Sequence, residues 1–199
     1  MVVIGLCGGS GSGKGTVCEL FAELGIPSID TDAVYHSLTS HPSECLLELR
    51  ERFGERIVKD GALDRSVLSD LVFKDASSEK NRQDLNSIAH KHIKIQTCKI
   101  IEEQKQRGAK GVIIDAPLLF ESSFDKLCDL CVAVVCKTDL RIERIMKRDG
   151  ISEETAKRRI AAQISDDELL KLCSFSLRNE SDRADLKEQV NSLYNKIFE

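Results

Sequence analysis

Gly8, Gly13 and Lys14 stand at G-x-x-x-x-G-K spacing, and the residues Gly9, Ser10, Gly11, Ser12, Gly13, Lys14, Gly15 and Thr16 are small apart from one ammonium. A loop of this kind closes its backbone N–H groups around phosphate oxygens, and Lys14 would reach the β- and γ-phosphates of a nucleotide. The helix that starts near Lys14 adds the positive end of its dipole. One position departs from the pattern: Gly15 follows Lys14 where Ser or Thr would place a hydroxyl on Mg²⁺. Thr16 comes one residue later and can reach the α-phosphate. The metal's protein ligand is therefore left open, with water, Asp32 and Asp115 as the candidates.

Asp30 and Asp32 lie two apart at the end of a short apolar stretch, so Asp32 would reach the rim where ligands bind in open α/β sheets. Two roles are open to it. It can accept a proton from an attacking hydroxyl, or it can cap the helix that begins at Ala33. Further on, Arg141, Arg144 and Arg148 fall at i, i+3 and i+7 and share one helix face. Residues 141–159 hold seven basic and four acidic side chains, a local excess of three in a chain of formal net charge -4. Such a stretch, broken at Gly150, suits a lid that closes over phosphates. A solvated face laced with ion pairs is the plainer reading. Arg144 is expected to act on phosphate and Arg141 to face solvent.

The elements that must position these groups follow from periodicity. Val2–Cys7 is an apolar, β-branched run bounded by glycine, the pattern of a strand buried on both faces. Val17, Leu20, Phe21 and Leu24 recur at helical spacing, and Gly25 ends that helix. Residues 26–30 form a second short strand. From 33 to 107 helices are expected over 46–53, 66–73 and 79–107, joined by turns at Gly54 and Asp60-Gly61. Val112-Ile113-Ile114-Asp115 and Leu130–Val135 are further strands. A basic helix from Leu140, a helix after Ser152 and a last one carrying Leu186, Val190, Leu193 and Ile197 complete an α/β pattern with a mostly parallel sheet.

Composition narrows the function classes. With 199 residues, 41% hydrophobic content and 31% charge, the chain suits one core with insertions. Its net acidity argues against coating nucleic acid or anionic membrane. The start lacks the basic and apolar regions of a secretory signal, and no apolar run approaches ~20 residues. The expectation is a cytoplasmic protein whose eight cysteines are reduced and mostly buried. Cys128 and Cys131 form a C-x-x-C, but residues three apart on a strand point to opposite faces, so their sulfurs are expected to diverge. Neither zinc nor redox chemistry is expected from them.

These pieces, in this order, resemble the dephospho-coenzyme A kinase family over nearly the whole chain. The loop resembles that family's start, with Cys7 where Thr is usual and Gly15 where Ser is usual. Ile29-Asp30-Thr31-Asp32 resembles its I-D-A/T-D, and Gly61-Ala62-Leu63-Asp64-Arg65 its G-x-L-D-R. Leu85-Asn86-Ser87-Ile88-Ala89-His90 is similar to its L-N-x-I-x-H, with Lys91 where Pro is usual. Pro117-Leu118-Leu119-Phe120-Glu121 matches its P-L-L-F-E. Arg144, Arg148-Asp149-Gly150, Arg159 and Gln163 resemble its lid, and Cys173-Ser174 replaces its A-D while Asn179 remains.

The resemblance implies an α/β, three-layer P-loop fold with a five-stranded parallel sheet. It implies a core at about 1–33, 110–140 and 172–199, a helical substrate-binding insertion at about 34–109 and a helical lid at about 141–171. It implies ATP and Mg²⁺, with γ-phosphoryl transfer to the ribose 3′-hydroxyl of dephospho-coenzyme A and Asp32 as base. Arg144, Arg148 and Asn179 would join the loop on the nucleotide. Arg65, His90, Pro117, Leu118, Leu119 and Glu121 would meet the acceptor. Two rivals are a nucleoside monophosphate kinase, favoured only by Gly13-Lys14-Gly15-Thr16, and a GTPase-like switch, which should carry an N-K-x-D motif that this sequence lacks.

Overall fold

The apolar runs pair as their composition requires. In the computed structural model, which describes residues 1–74 and 78–199, β1 (Val2–Cys7) lies between β5 (Gly111–Asp115) and β6 (Leu130–Val135), and both pairings are parallel. The sheet is completed by β2 (Ser28–Asp30) and β7 (Phe175–Arg178) in the order β2-β5-β1-β6-β7. Ile4, Ile113, Ile114, Val132 and Val134 are fully shielded from solvent, as strands covered on both faces must be.

Two compact units divide the chain. The first comprises Met1–Ile29 with Glu103–Glu199, and the second Asp30–Glu102. In the first, α1 (Lys14–Glu23) and α9 (Arg183–Phe198) set Val17, Phe21, Leu186 and Val190 against Ile4, Leu6 and Val134. Burying a side chain such as Phe21 stabilises the fold by ~1.5–3 kcal/mol. α6 (Thr138–Asp149), α7 (Glu153–Ala161) and α8 (Asp166–Leu172) follow β6. Gly150 ends α6 in the left-handed conformation, φ 64°, where a glycine costs nothing.

The second unit contains α2 (Thr31–Thr39), α3 (Glu44–Phe53), α4 (Arg65–Phe73) and most of α5 (Ser78–Gln106). Its core is built from Cys45, Leu49, Phe53, Ile57, Leu68, Val72 and Ile88. A small hairpin of β3 (Val58–Lys59) and β4 (Ala62–Leu63) appears where the sequence suggested only a turn. Asp60 and Gly61 both take positive φ, 52° and 78°, which is the tight turn that two antiparallel strands need.

Two expectations are corrected. Cys128 precedes β6 and does not lie on it, so strand alternation does not govern its direction. Its sulfur and that of Cys131 both face Gly5, where a Cβ would stand 2.9 and 3.2 Å from them. The cap of α2 is Asp30, whose carboxylate accepts from the N–H groups of Asp32 and Ala33, and not Asp32.

A local prediction follows from α4. Asp64 accepts from the N–H groups of Ser66 and Val67 and so fixes the start of the helix that carries Arg65. Asp64→Ala should cost ~1 kcal/mol in urea unfolding. An unchanged midpoint would mean that tertiary packing alone sets the start of α4.

Candidate active site

A loop that aims N–H groups at an anion must send its carbonyls the other way, because the peptide unit is planar and trans. Those carbonyls then need donors of their own. Here each carbonyl from Gly8 to Gly13 has one. Lys14 Nζ donates to Gly8 O at 3.0 Å, and Ser12 N donates to Gly9 O at 3.1 Å. Arg141 Nε donates to Ser10 O at 3.0 Å, and Arg144 Nη1 to Gly11 O at 3.3 Å. Asn179 Nδ2 donates to Ser12 O at 2.8 Å, and Val17 N to Gly13 O at 3.3 Å.

With Gly8, Ser10 and Ser12 carbonyls held outward, the N–H groups of Gly9, Gly11 and Gly13 turn inward. Side chains at these positions would break the clamp. A Cβ on Gly9 would stand 1.9 Å from Arg141 Nη2, and one on Gly13, whose φ is 98°, would stand 2.0 Å from Asn179 Nδ2. Ser12 lies fully buried inside the loop, and its Oγ has no hydrogen-bond partner among the described residues. The cradle is thus an anion site by construction, opened further by the N-terminus of α1.

The arginine stripe of α6 is not a solvated face. Arg141, expected at the surface, is only 3% exposed. Besides Ser10 O it donates to Asp166 Oδ1 at 3.1 Å and Gln163 Oε1 at 3.2 Å, and the same Gln163 oxygen accepts from Ser10 N at 2.9 Å. Helical spacing placed Arg141 beside Arg144 but could not show what lies against that face, and this is why the sequence missed it. Arg144 also donates to Asn179 O at 3.1 Å and to Cys136 Sγ at 3.3 Å. Arg148, the outermost, donates to Ser10 Oγ at 3.4 Å and pairs with Asp149, whose other partner is Arg159. The Arg148 hydrogen bond, reinforced by Arg159, holds the Asp149 carboxyl well below its usual range, at about 2.

Pro117, Leu118 and Glu121 are exposed, and residues 117–121 border a small cavity shared with Cys7, Gly8, Gly9 and Gln163. Leu119, expected to meet the acceptor, is 1% exposed and packs against Gly5, so its main work is in the core. Gly15 is exposed, with nothing within 4 Å of where a Cβ would lie. Asp115 ends β5 in register with Leu6, and Cys18 Sγ donates to its Oδ2 at 3.8 Å. Burial, then Asp115, push the Cys18 thiol up to about 12.

Within the second unit, Asp32 stands in the first turn of α2 and lines a cavity of about 590 Å³ together with Asp30, His36 and Arg65. Leu68 and Val72 supply an apolar wall. Arg65 Nη2 lies 2.9 Å from His36 Nδ1. Guanidinium can only donate, so Nδ1 is the acceptor and the imidazole proton sits on Nε2. His36 carried no signal in the sequence beyond its residue type. His90, half-buried on α5, is not among the walls of this cavity. Burial, followed by the nearby Lys94 charge, lowers its pKa from the ordinary histidine value.

Comparison with known proteins gives the family and the fold. The dephospho-CoA kinase family model matches residues 2–185. The chain is similar to the dephospho-CoA kinase of Corynebacterium glutamicum, 36% identical over 199 residues, which span 100% of this chain and 98% of that protein. Among solved structures, TT1252 from Thermus thermophilus superposes with a TM-score of 0.79 at 28% identity, covering 98% of this chain and 97% of the other. Dephospho-CoA kinase from Campylobacter jejuni superposes with a TM-score of 0.72 at 24% identity, covering 98% and 96%, and so shares the fold.

The clamp makes Arg141 a test of the loop. Arg141→Ala should lose roughly 3 kcal/mol in urea unfolding, because Asp166 and Ser10 O lose a buried partner. It should also weaken nucleoside triphosphate binding, read by calorimetric titration, more than Arg148→Ala does. Equal and mild effects of the two changes would return Arg141 to a passive role.

Proposed function

Because the chain belongs to the dephospho-coenzyme A kinase family, we propose that it transfers the γ-phosphoryl group of ATP to the ribose 3′-hydroxyl of dephospho-coenzyme A, yielding coenzyme A and ADP. The observation that supports this reading is the loop in which every carbonyl from Gly8 to Gly13 is hydrogen-bonded, four of them to side chains, so that the N–H groups of Gly9, Gly11 and Gly13 are left for an anion. Lys14 and the N–H groups of Gly9, Gly11 and Gly13 hold the phosphates. Arg144 and Arg148, spaced along α6, add positive charge where negative charge builds up on the transferred group. Asn179 keeps the Ser12 peptide turned.

On the acceptor side, Asp32 takes the proton of the attacking hydroxyl, and Arg65 binds a phosphate of the acceptor by charge and by its fork of donors. His90, Pro117, Leu118 and Glu121 form the remainder of the proposed acceptor contacts.

The donor set fits Mg²⁺. Asp115 supplies a carboxylate at the ligand end of the sheet, and the open space at Gly15 leaves room for water in place of a side-chain hydroxyl. When bound, the ion would neutralise charge on the phosphates.

Measuring ADP release with dephospho-coenzyme A, AMP, UMP and no acceptor tests the reading directly. Release should depend on dephospho-coenzyme A, and mass spectrometry should show one added phosphate on it. Dependence on AMP or UMP would make the protein a nucleoside monophosphate kinase, and release without acceptor would make it a nucleotide hydrolase or switch.

Two substitutions probe the roles. Asp32→Asn should lower kcat by ~10²–10⁴-fold with ATP affinity nearly unchanged, because it removes proton acceptance alone. Near-normal turnover would remove Asp32 from the chemistry. Gly15→Ser should be accommodated, since φ at Gly15 is not positive and the space is open. It should lower the Mg²⁺ concentration that gives half-maximal rate. Unchanged Mg²⁺ dependence would show that the missing hydroxyl was never limiting.

A further inference from the structure

Two cysteines flank the phosphate-binding loop without taking part in it. Cys7 is the last residue of β1, next to Gly8, and is 2% exposed. Cys173 caps the C-terminus of α8 and is half-buried. Their sulfurs stand 3.2 Å apart although 166 residues separate them in the chain. The scaffold fixes both. Cys7 is held in register with Ala133 of β6, and the N–H of Ser174 donates to Cys131 O of the same strand at 3.0 Å. Both are also positions where the chain departs from the pattern it resembles, which carries Thr and Ala there.

We propose that Cys7 and Cys173 form an oxidisable dithiol, a modification site that peroxide converts to a disulfide and that thereby arrests the phosphate-binding loop. The sulfurs need to approach by only about 1 Å to reach the bonded length of ~2.05 Å. Cys173 meets the oxidant first because it is the more accessible of the two. Its thiolate attacks hydrogen peroxide, the O–O bond breaks, and a sulfenic acid forms with loss of hydroxide. Cys7 then attacks that sulfur. The S–O bond breaks, and the departing hydroxide leaves as water with the Cys7 proton. In sum two thiols give up two electrons and two protons, and one peroxide becomes two waters. The hydrogen bond with Cys173, and then burial, keep Cys7 protonated well above the ordinary thiol range, which suits it to be the second and not the first to react.

The link would act on the loop from both sides. Gly8, whose carbonyl takes Lys14 Nζ, follows Cys7 directly. Asp166, which holds Arg141, begins the helix that Cys173 ends. A covalent tie across them stops β1 and α8 from shifting as nucleotide enters and product leaves.

The test uses the full-length reduced protein treated with stoichiometric hydrogen peroxide, quenched with N-ethylmaleimide and mapped by mass spectrometry without reduction. A linked Cys7–Cys173 peptide should appear together with a fall in kcat of about tenfold, the scale expected when a gating step is blocked. Dithiothreitol should reverse both. Cys173→Ala should keep the basal kcat and show no reversible loss. Cys7→Thr should leave Cys173 as a sulfenic acid that dimedone traps. The proposal falls if the linkage is found only between Cys128 and Cys131. It also falls if Cys173→Ala loses and regains activity as the wild type does, or if no dimedone adduct forms on Cys7→Thr.

Discussion

The pairing of six consecutive carbonyls, four of them by side chains, is the constraint on which the rest depends. A glycine-rich loop has many conformations, and glycine lowers the cost of the right one without selecting it. Selection comes from Lys14 at the start of α1 and from donors that arrive from distant parts of the chain: Arg141 and Arg144 from α6, and Asn179 after β7. Lys14, Arg141 and Arg144 sit on helices and Asn179 directly follows a strand, so the loop inherits the precision of the sheet and helices around it. Asp166 then holds Arg141 with a carboxylate that is itself three-quarters shielded, which keeps the guanidinium neutralised while its Nε serves Ser10.

The same constraint explains the unequal weight of the three arginines. Arg141 is enclosed and shares its donors among Ser10, Asp166 and Gln163, so its charge is largely consumed in building the loop. Arg144 has only carbonyls and a thiol as partners among the described residues, and its charge is not cancelled by a carboxylate. That is the group best suited to meet negative charge developing on a phosphoryl oxygen. Arg148 is exposed and paired with Asp149, an arrangement with little energetic weight until a ligand competes for it.

Much of the fold could be read from periodicity because β1, β5 and β6 are continuous apolar runs and α1 has one apolar stripe. The glycine loop between them was legible for the same reason, since its spacing has meaning only between a strand and a helix. Other features had no such signature. β7 is four residues with one buried side chain, Leu177, too short to carry a period. The β3–β4 hairpin has two residues per strand and exists because of the Asp60-Gly61 turn. The direction of Cys128 depended on where β6 begins, and the burial of Arg141 on what packs over α6. Both are tertiary facts. Asp32 could be read as a cap for a helix beginning at Ala33 until the helix start was known, two residues earlier, which makes Asp30 the cap.

The order of strands also sets a timetable for synthesis. β1 pairs with strands far downstream, Val2 with Gly111 and Ile4 with Leu130, so it must wait for partners made long after it. The unit spanning Asp30–Glu102 is contiguous, and its core from Cys45 to Ile88 closes by contacts of short range. Short-range contacts form faster than long-range parallel pairing, and a domain folds as its residues emerge. The inserted unit is therefore complete while the sheet is still open. The loop lacks Arg141, Arg144 and Asn179 until residues 141–179 have left the ribosome, so its carbonyls are fully paired only after the inserted unit has closed.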